Sequence, residues 1–166
     1  MARRYITFVC TGNICRSPMA ERLVGHALAA EEGCLRTLVP VSCGVAAYAG
    51  EPASGNSLRA LQAVGLSLDD HRSQPVTQEL LDETLVLFGM TGAHLRALRS
   101  QFDRLPPHVY LMREFVPEGA SREIPDPYGC GLADYEECRD AMIEAIPGIM
   151  RFLRELAAKE TPPSAE

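Results

Sequence analysis

Short strand-like segments alternate with longer helix-like segments along this 166-residue chain. Residues 5–9, 84–88 and 109–112 are rich in β-branched, aromatic and other apolar side chains, which predicts buried strands. Residues 36–43 predict another strand, and Pro40 places it at an edge of the sheet, because proline cannot donate a ladder hydrogen bond. The alternation therefore predicts a three-layer α/β/α fold with a four-stranded parallel sheet.

Helical signals fill the segments between these strands. Ser17-Pro18 predicts the start of the first helix, with Ser17 as its N-cap and Pro18 at its first position. Thr77 and Thr91 predict the starts of two further helices. In the last helix, apolar residues recur at spacings of three and four, and Pro147 predicts a kink or a split because it removes a backbone hydrogen bond.

Length and composition predict one domain over residues 1–160, with a frayed, polar tail over residues 161–166. The 16 Lys and Arg residues against 22 Asp and Glu residues give a net charge of −6, which disfavours nucleic-acid binding. No apolar run approaches the roughly 20 residues of a membrane helix, and the N-terminus lacks the apolar stretch of a signal peptide. We therefore expect a cytoplasmic protein with no nucleic-acid or membrane partner.

The spacing of the six cysteines does not match a metal site. They are Cys10, Cys15, Cys34, Cys43, Cys130 and Cys138, and no two are spaced as C-x-x-C. In a chain of this length without a secretion signal, we expect the thiols to stay reduced. Structural zinc sites need close pairs of ligands, so we expect no metal and no cofactor.

The segment after the first predicted strand combines a thiol with an anion-binding loop. Its predicted phosphate-binding residues are Thr11, Gly12, Asn13, Ile14, Cys15 and Arg16, whose backbone N–H groups can surround an oxyanion at a helix N-terminus. The Arg16 guanidinium can donate two hydrogen bonds to one phosphate. A helix N-terminus and a guanidinium also favour the thiolate form of a cysteine, which makes Cys10 a candidate nucleophile toward phosphorus.

Residues 10–21, CTGNICRSPMAE, resemble the signature of the low-molecular-weight protein tyrosine phosphatase family, and the sequence DPY at 126–128 resembles its second signature. The resemblance covers nearly the whole chain. It implies a protein phosphatase that forms a cysteinyl-phosphate intermediate, with Cys10 as nucleophile, Arg16 as phosphate ligand and Asp126 as general acid. It also implies a set of supporting residues that shape the loop, namely Asn13, Ser17, Ser42 and His71.

The role of Asp126 also has a chemical rationale. A phenolate leaves poorly, because phenols have a pKa of about 10, and protonation during bond cleavage helps it leave. The same carboxylate can then activate the water that hydrolyses the cysteinyl-phosphate.

Two substrate classes stay open. Ile14, Tyr48 and Tyr128 predict apolar walls that suit the ring of phosphotyrosine, which is the favoured substrate. The family also contains protein arginine phosphatases, which by resemblance carry threonine at the position of Ile14. Residues 90–94 (MTGAH) and the sequence DPYG at 126–129 resemble that branch more closely. In either case the expected partner is a phosphorylated protein.

Two other functions are less favoured. A related arsenate reductase fold usually has glutamine at the position of Pro18, and it needs further cysteines that residues 80–90 lack. A non-catalytic phosphate-binding module would be favoured by the loss of Cys10, Arg16 or Asp126, but all of these are present.

Cys15 has two readings that the sequence does not separate. In similar enzymes this thiol forms a reversible disulfide with the nucleophile, which here would protect Cys10 from over-oxidation. The alternative is that Cys15 packs within the loop as a small apolar residue.

Overall fold

The computed structural model describes residues 3–160, and the predicted tail at 161–166 lies outside the described residues. Four parallel strands form one sheet in the order β2-β1-β3-β4. The strands are β1 (Tyr5–Cys10), β2 (Val39–Gly44), β3 (Thr84–Gly89) and β4 (His108–Leu111). The helices are α1 (Arg16–Ala29), α2 (Gly55–Gln62), α3 (Gln78–Asp82), α4 (Gly92–Gln101) and α5 (Leu132–Glu160), and a 3₁₀ helix (Gly33–Thr37) precedes β2. The predicted α/β/α fold is therefore confirmed.

Strand β2 lies at an edge of the sheet, as Pro40 predicts, but it begins later than expected, at Val39. In the 3₁₀ helix before it, the Thr37 hydroxyl donates to the Cys34 carbonyl at 2.6 Å. Such a local side-chain bond competes with extended backbone. The expected strand over residues 36–43 is therefore wrong at its start.

Alternating residues of the central strand β1 belong to two parts of the hydrophobic core. Ile6 and Phe8 contribute to the part that includes α1, α2 and α5, whereas Val9 contributes to the part that includes α3 and α4. Phe8 is fully buried and stacks on Phe88 of β3 with ring centroids 5.7 Å apart. Burial of an aromatic side chain contributes roughly 1.5–3 kcal/mol. Packing on both faces fixes the carboxyl end of β1, from which the loop after Cys10 begins.

Helix α5 is continuous through Pro147, so the expected split does not occur. Pro147 is exposed, whereas the next residue faces the protein: a Cβ on Gly148 would lie 2.7 Å from the Phe115 carbonyl oxygen. Ala145 and Ile149, on either side, stay buried. Their packing on the core holds the helix together although proline supplies no backbone N–H.

Candidate active site

The loop at residues 11–15 connects the carboxyl end of β1 to α1, at the edge of the sheet where parallel α/β proteins bind ligands. It borders a cavity of about 350 Å³. Cys10, Arg16 and Asp126 line this cavity. The fold therefore brings together the three residues to which the sequence assigns catalytic roles.

The backbone carbonyls of the loop accept hydrogen bonds from outside it. The pairs are Cys10 with the Val45 amide, Thr11 with the Ala46 amide, Asn13 with His71 Nε2, Ile14 with the Ser54 amide and Cys15 with Ser57 Oγ, at 2.7–3.0 Å. Peptide bonds are planar and none in residues 3–160 is cis, so each following N–H points opposite to its carbonyl. The amides of residues 11, 12, 14, 15 and 16 therefore face the concave side of the loop. Such a ring of N–H groups binds a tetrahedral oxyanion.

Asn13 holds the loop in a left-handed turn, with a φ of 56°. Its Nδ2 donates to Ser17 Oγ at 2.8 Å and to Ser42 Oγ at 3.0 Å. Its Oδ1 accepts from the Gln74 amide at 2.9 Å, and its carbonyl accepts from His71 Nε2 at 2.7 Å. A left-handed backbone costs a non-glycine residue roughly 1–2 kcal/mol, which these bonds offset. The structure thus places all the predicted supporting residues in one network.

The Cys10 thiol is 2% exposed, and its Sγ lies 3.0 Å from Ser17 Oγ. The Ser17 oxygen already accepts from Asn13, so its single proton is available to the sulfur. The competing acceptor, the Cys43 carbonyl, is more distant at 3.4 Å. A hydroxyl group that donates to sulfur stabilises the thiolate form.

The Ser17 hydroxyl group is therefore hydrogen-bonded to the Cys10 thiol and does not cap the helix. Helix α1 begins at Arg16, with Cys15 at the N-cap and no side-chain capping bond. The prediction that Ser17 is the N-cap is wrong, because its hydroxyl group is turned to Cys10 and Asn13. The predicted first position of Pro18 is wrong as well, because Pro18 is the third residue of α1. It still lies in the first turn, where its missing N–H costs nothing.

Arg16 is 2% exposed, yet only part of its guanidinium group is bonded. Nη1 donates to the Ile124 carbonyl at 2.9 Å, and Nη2 lies 3.6 Å from Asp126 Oδ2. Nε is buried and has no hydrogen-bond partner among residues 3–160. A buried polar group without a partner calls for an explanation. Arg16 and the loop line one cavity, and an oxyanion bound there would offer an acceptor to the unpaired N–H.

Asp126 lies on the rim of the cavity, in a loop that is anchored just before it. Ile124 is fully buried, and its amide donates to the Met90 carbonyl at 3.0 Å. The Asp126 side chain is 53% exposed. The Tyr128 amide donates to Asp126 Oδ1 at 3.1 Å, which orients the carboxyl group and leaves Oδ2 on the side of Arg16.

The predicted walls, Ile14, Tyr48 and Tyr128, line the same cavity. Tyr48 is 78% exposed and Tyr128 is 70% exposed, so both rings are available for contact with a substrate. Glu51 also lines the cavity, although the sequence did not single it out. Its amide donates to Ser73 Oγ at 2.9 Å, which fixes its backbone.

His94 is another residue to which the sequence analysis assigned no function. It is 4% exposed, and its Nε2 lies 3.0 Å from Thr11 Oγ1 and 3.5 Å from Arg16 Nη2. Burial and the neighbouring Arg16 lower the pKa of His94 to about 4, so the ring is neutral at pH 7. The sequence offers the resemblance of residues 90–94 to the arginine-phosphatase branch and the spacing of Thr91 and His94, which fits the start of a helix. Neither signal points to a contact with a loop 83 residues earlier.

Cys15 is buried, with its Sγ 3.4 Å from the Tyr135 hydroxyl group of α5. Burial raises the pKa of the Cys15 thiol. Burial and the bond to Cys15 raise the pKa of Tyr135 to about 12. Cys15 is therefore a protonated packing residue at pH 7, and its redox role stays a prediction.

Residues 3–160 contain no helix long and apolar enough to cross a membrane. In the same part of the chain, no group of three or more His, Cys, Asp or Glu side chains is arranged to hold a metal ion. Among the residues that line the cavity, Arg16 carries a positive charge.

Comparison with known protein families matches residues 5–161 to the low molecular weight phosphotyrosine protein phosphatases. This chain belongs to that family. The resemblance drawn from residues 10–21 and 126–128 is therefore confirmed. Family membership makes the protein a cysteine-dependent phosphatase and disfavours the arsenate reductase and non-catalytic alternatives.

Relatives in the low-molecular-weight family carry two different names. A protein-arginine-phosphatase of Bacillus subtilis is 35% identical over 150 residues, which cover 90% of this chain and 97% of the relative. A low molecular weight protein-tyrosine-phosphatase of Streptomyces coelicolor is 34% identical over 155 residues, covering 90% and 93%. Among solved structures, an arginine phosphatase from Geobacillus stearothermophilus superposes with a TM-score of 0.82 at 28% identity, covering 96% of this chain and 98% of that chain.

Proposed function

We propose that this protein hydrolyses phosphotyrosine in proteins through a phosphate ester of Cys10. The observation that carries this proposal is the buried, unbonded Nε of Arg16, a residue that lines the cavity together with Cys10, the loop and Asp126. Nucleophile, oxyanion ligands and acid are the parts that two-step transfer of a phosphoryl group requires.

In the first step, the Cys10 thiolate attacks phosphorus, a sulfur–phosphorus bond forms, and the bond from phosphorus to the phenolic oxygen breaks. Asp126, protonated at this stage, gives its proton to the departing oxygen. The loop amides and Arg16 bind the three outer phosphoryl oxygens, on which negative charge is spread.

In the second step, Asp126 acts as a base. It takes a proton from water, the water oxygen bonds to phosphorus, and the sulfur–phosphorus bond breaks. Inorganic phosphate leaves, the Cys10 thiolate is restored, and the proton taken from water restores the acid form of Asp126. Ser17 stabilises the returning thiolate through the hydroxyl group that lies 3.0 Å from the sulfur.

The choice of phosphotyrosine rests on the walls of the cavity. The half-buried Ile14 and the exposed Tyr48 and Tyr128 offer apolar faces to a flat ring. A hydrophobic contact of this kind discriminates between substrates by about 1–3 kcal/mol.

Phosphoarginine is the second candidate, and Glu51 is the observation that favours it. Glu51 and Asp126 are two acidic residues that line the cavity, and negative charge suits the cationic guanidinium group of phosphoarginine better than a neutral ring. The Bacillus subtilis relative, 35% identical, is named as a protein-arginine-phosphatase.

Phosphate release from matched phosphotyrosine and phosphoarginine peptides, compared as kcat/KM, tests the two candidates. We expect the phosphotyrosine peptide to react faster, and a preference for phosphoarginine would replace the first candidate by the second. Glu51→Gln tests whether Glu51 recognises phosphoarginine. It should lower kcat/KM for the phosphoarginine peptide by about tenfold and leave kcat/KM for the phosphotyrosine peptide nearly unchanged. Cys10→Ser is the blank for contaminating phosphatases.

We also propose that residues 1–160 form one catalytic domain that acts on phosphorylated proteins in the cytoplasm without a metal ion. Arg16 and the loop amides supply the positive charge that a metal supplies elsewhere. Treatment with EDTA should therefore leave kcat/KM unchanged. Strong inhibition that zinc or magnesium reverses would contradict this proposal.

A further inference from the structure

His94 connects the first turn of α4 to the phosphate-binding loop and to Arg16. Helix α4 approaches β3 closely because Gly89 has no side chain: a Cβ there would lie 2.8 Å from Leu95 Cδ2. From this position, His94 Nε2 lies 3.0 Å from Thr11 Oγ1 and 3.5 Å from Arg16 Nη2.

The Thr91 amide determines the tautomer of the His94 ring. This N–H can only donate, and its nitrogen lies 3.2 Å from His94 Nδ1. Arg16 Nη2 can also only donate, but it lies farther away, 3.5 Å from Nε2. We take the shorter contact to decide, which makes Nδ1 the acceptor and puts the proton of the neutral ring on Nε2. Thr91 Oγ1, 3.3 Å from Nδ1, can then donate to the same nitrogen. Nε2–H then donates to Thr11 Oγ1.

Protonation of the ring is disfavoured by its surroundings. A proton on Nδ1 would face the N–H of Thr91, and the charged ring would lie 3.5 Å from Arg16 Nη2. Asp126 and Glu123 favour the charged form, but burial and Arg16 outweigh them and hold the pKa of His94 at about 4.

We propose that His94 is a positioning residue of the phosphate site, which fixes Thr11 through Nε2–H and leaves Arg16 Nη2 available to the ligand. The Thr11 amide and the amide after it belong to the N–H ring, so a fixed Thr11 fixes two of the donors to the phosphoryl group. A neutral donor achieves this without a second positive charge against Arg16. The inference rests on the proposed phosphatase function.

A matched pair of substitutions separates this role from capping of α4. His94→Asn keeps an acceptor near the Thr91 amide but removes the donor to Thr11. His94→Gln keeps a donor near Thr11 but removes the close acceptor for Thr91. Thr11→Val removes the acceptor of the same bond, and His26→Asn, on the exposed surface of α1, is the control substitution.

We expect His94→Asn to lower kcat/KM for a phosphotyrosine peptide about tenfold and to weaken binding of inorganic phosphate by a similar factor. Thr11→Val should give the same loss, and the double variant should lose no more than either single variant. His94→Gln should recover most of the activity with a lower Tm. Activity of His94→Asn within about twofold of wild type, or multiplied losses in the double variant, would overturn the inference.

Nitrogen-15 NMR of the His94 ring provides a test that does not depend on turnover. We expect a proton on Nε2, none on Nδ1, and no titration between pH 5 and pH 8. A proton on Nδ1 would contradict the inference even in an active enzyme. If wild type binds phosphate with this tautomer but hydrolyses neither peptide, the proposed function fails and the positioning of the anion site by His94 stands.

Discussion

The base and the rim of the cavity are built differently. The base consists of Cys10, which lines the cavity, and of the residues that support the loop behind it, namely Asn13, Ser17, Ser42 and His71. These residues are at most 5% exposed, and each side chain has a hydrogen-bond partner. The rim, defined as Tyr48, Glu51, Asp126 and Tyr128, consists of exposed residues. Arg16, which is buried next to the base, connects it to the rim where Nη2 lies 3.6 Å from Asp126 Oδ2.

This difference separates two tasks. Stabilisation of a phosphoryl transition state needs donors that are already in position, and buried bonds supply that rigidity. Selection of a substrate depends on a few exposed contacts that can change without loss of the fold. Both an arginine phosphatase and a tyrosine phosphatase among the relatives are consistent with a common base and a variable rim.

The largest expected effect comes from Cys10→Ser, at the center of the base. We expect no measurable turnover, because serine is a far weaker nucleophile under the same conditions. Inorganic phosphate should still bind, since Arg16 and the loop amides are unchanged. Phosphate release and an NMR titration measure the two effects, and turnover near the wild-type rate would remove Cys10 from the mechanism.

Asp126→Ala tests the chemical role of the rim. We expect kcat for a phosphotyrosine peptide to fall by about 10²–10⁴-fold. The loss should be much smaller for an aryl phosphate whose phenol is more acidic, because that leaving group needs less protonation. Asp134→Ala, an exposed carboxylate on α5, is the control. Equal losses on both substrates would show that Asp126 is not the general acid.

Two substitutions of Asn13 separate the stabilisation that comes from the Asn13 side-chain bonds from the effect of its left-handed backbone. Asn13→Gly keeps access to a φ of 56° but removes the bonds to Ser17, Ser42 and Gln74. Asn13→Ala removes the bonds and adds backbone strain, so it should be the less stable variant by roughly 1 kcal/mol. Both variants should lower kcat, so kcat/KM should fall by a larger factor than the factor by which KM rises. Urea denaturation measures the stability of the two variants, and steady-state kinetics measure kcat and KM. Equal stability of the two variants would contradict the expected strain in Asn13→Ala.

Protonation of His94 should make the fold sensitive to acid. Its pKa is about 4 when folded and about 6.5 when unfolded, so the unfolded chain binds more protons between these values. The contribution of His94 to the free energy of unfolding is therefore fully present above pH 6.5. It is lost as the pH falls toward 4, by about 3 kcal/mol in total. Denaturation of wild type and His94→Asn across this range should give a smaller slope for the variant. Parallel slopes would assign the acid sensitivity to other groups.

The smallest expected effect is a change of preference at the rim. Ile14→Thr replaces an apolar wall by a hydroxyl group and should shift the ratio of kcat/KM toward phosphoarginine by a factor of about ten or less. Its Tm should stay near that of wild type, because Ile14 is only half-buried. An unchanged ratio would mean that Glu51 and the exposed rings select the substrate.

Local sequence was sufficient to predict the sheet, its edge strand and the loop between β1 and α1, because these depend on short apolar runs and on neighbouring residues. It failed where contacts with distant parts of the fold decide the local structure. Ser17 is a residue type that often caps helices, but in the folded loop its hydroxyl group is hydrogen-bonded to Cys10 and Asn13. Pro147 is a residue type that often breaks helices, but the core contacts of the residues on either side keep α5 continuous.

Other residues of the site could not be found from local sequence at all. His94 reaches Thr11 across 83 residues, and Glu51 comes to the cavity from the segment after β2. Their short-range signals describe a helix start and an exposed acid. These segments meet because β1 lies between β2 and β3 in a parallel sheet, so the segments that follow the three strands begin at the same edge.

The outward bonds of the loop carbonyls have a consequence for the end of the catalytic cycle. Val45, Ala46, Ser54, Ser57 and His71 hold the loop from outside, so we expect it to keep its shape when the cavity empties. Released phosphate has the same tetrahedral oxygens as the group that was attacked, and it meets a receptor of unchanged geometry. We therefore expect the enzyme to bind its own product. The concentration of free phosphate should then determine the fraction of enzyme molecules whose cavity is free to bind a new substrate.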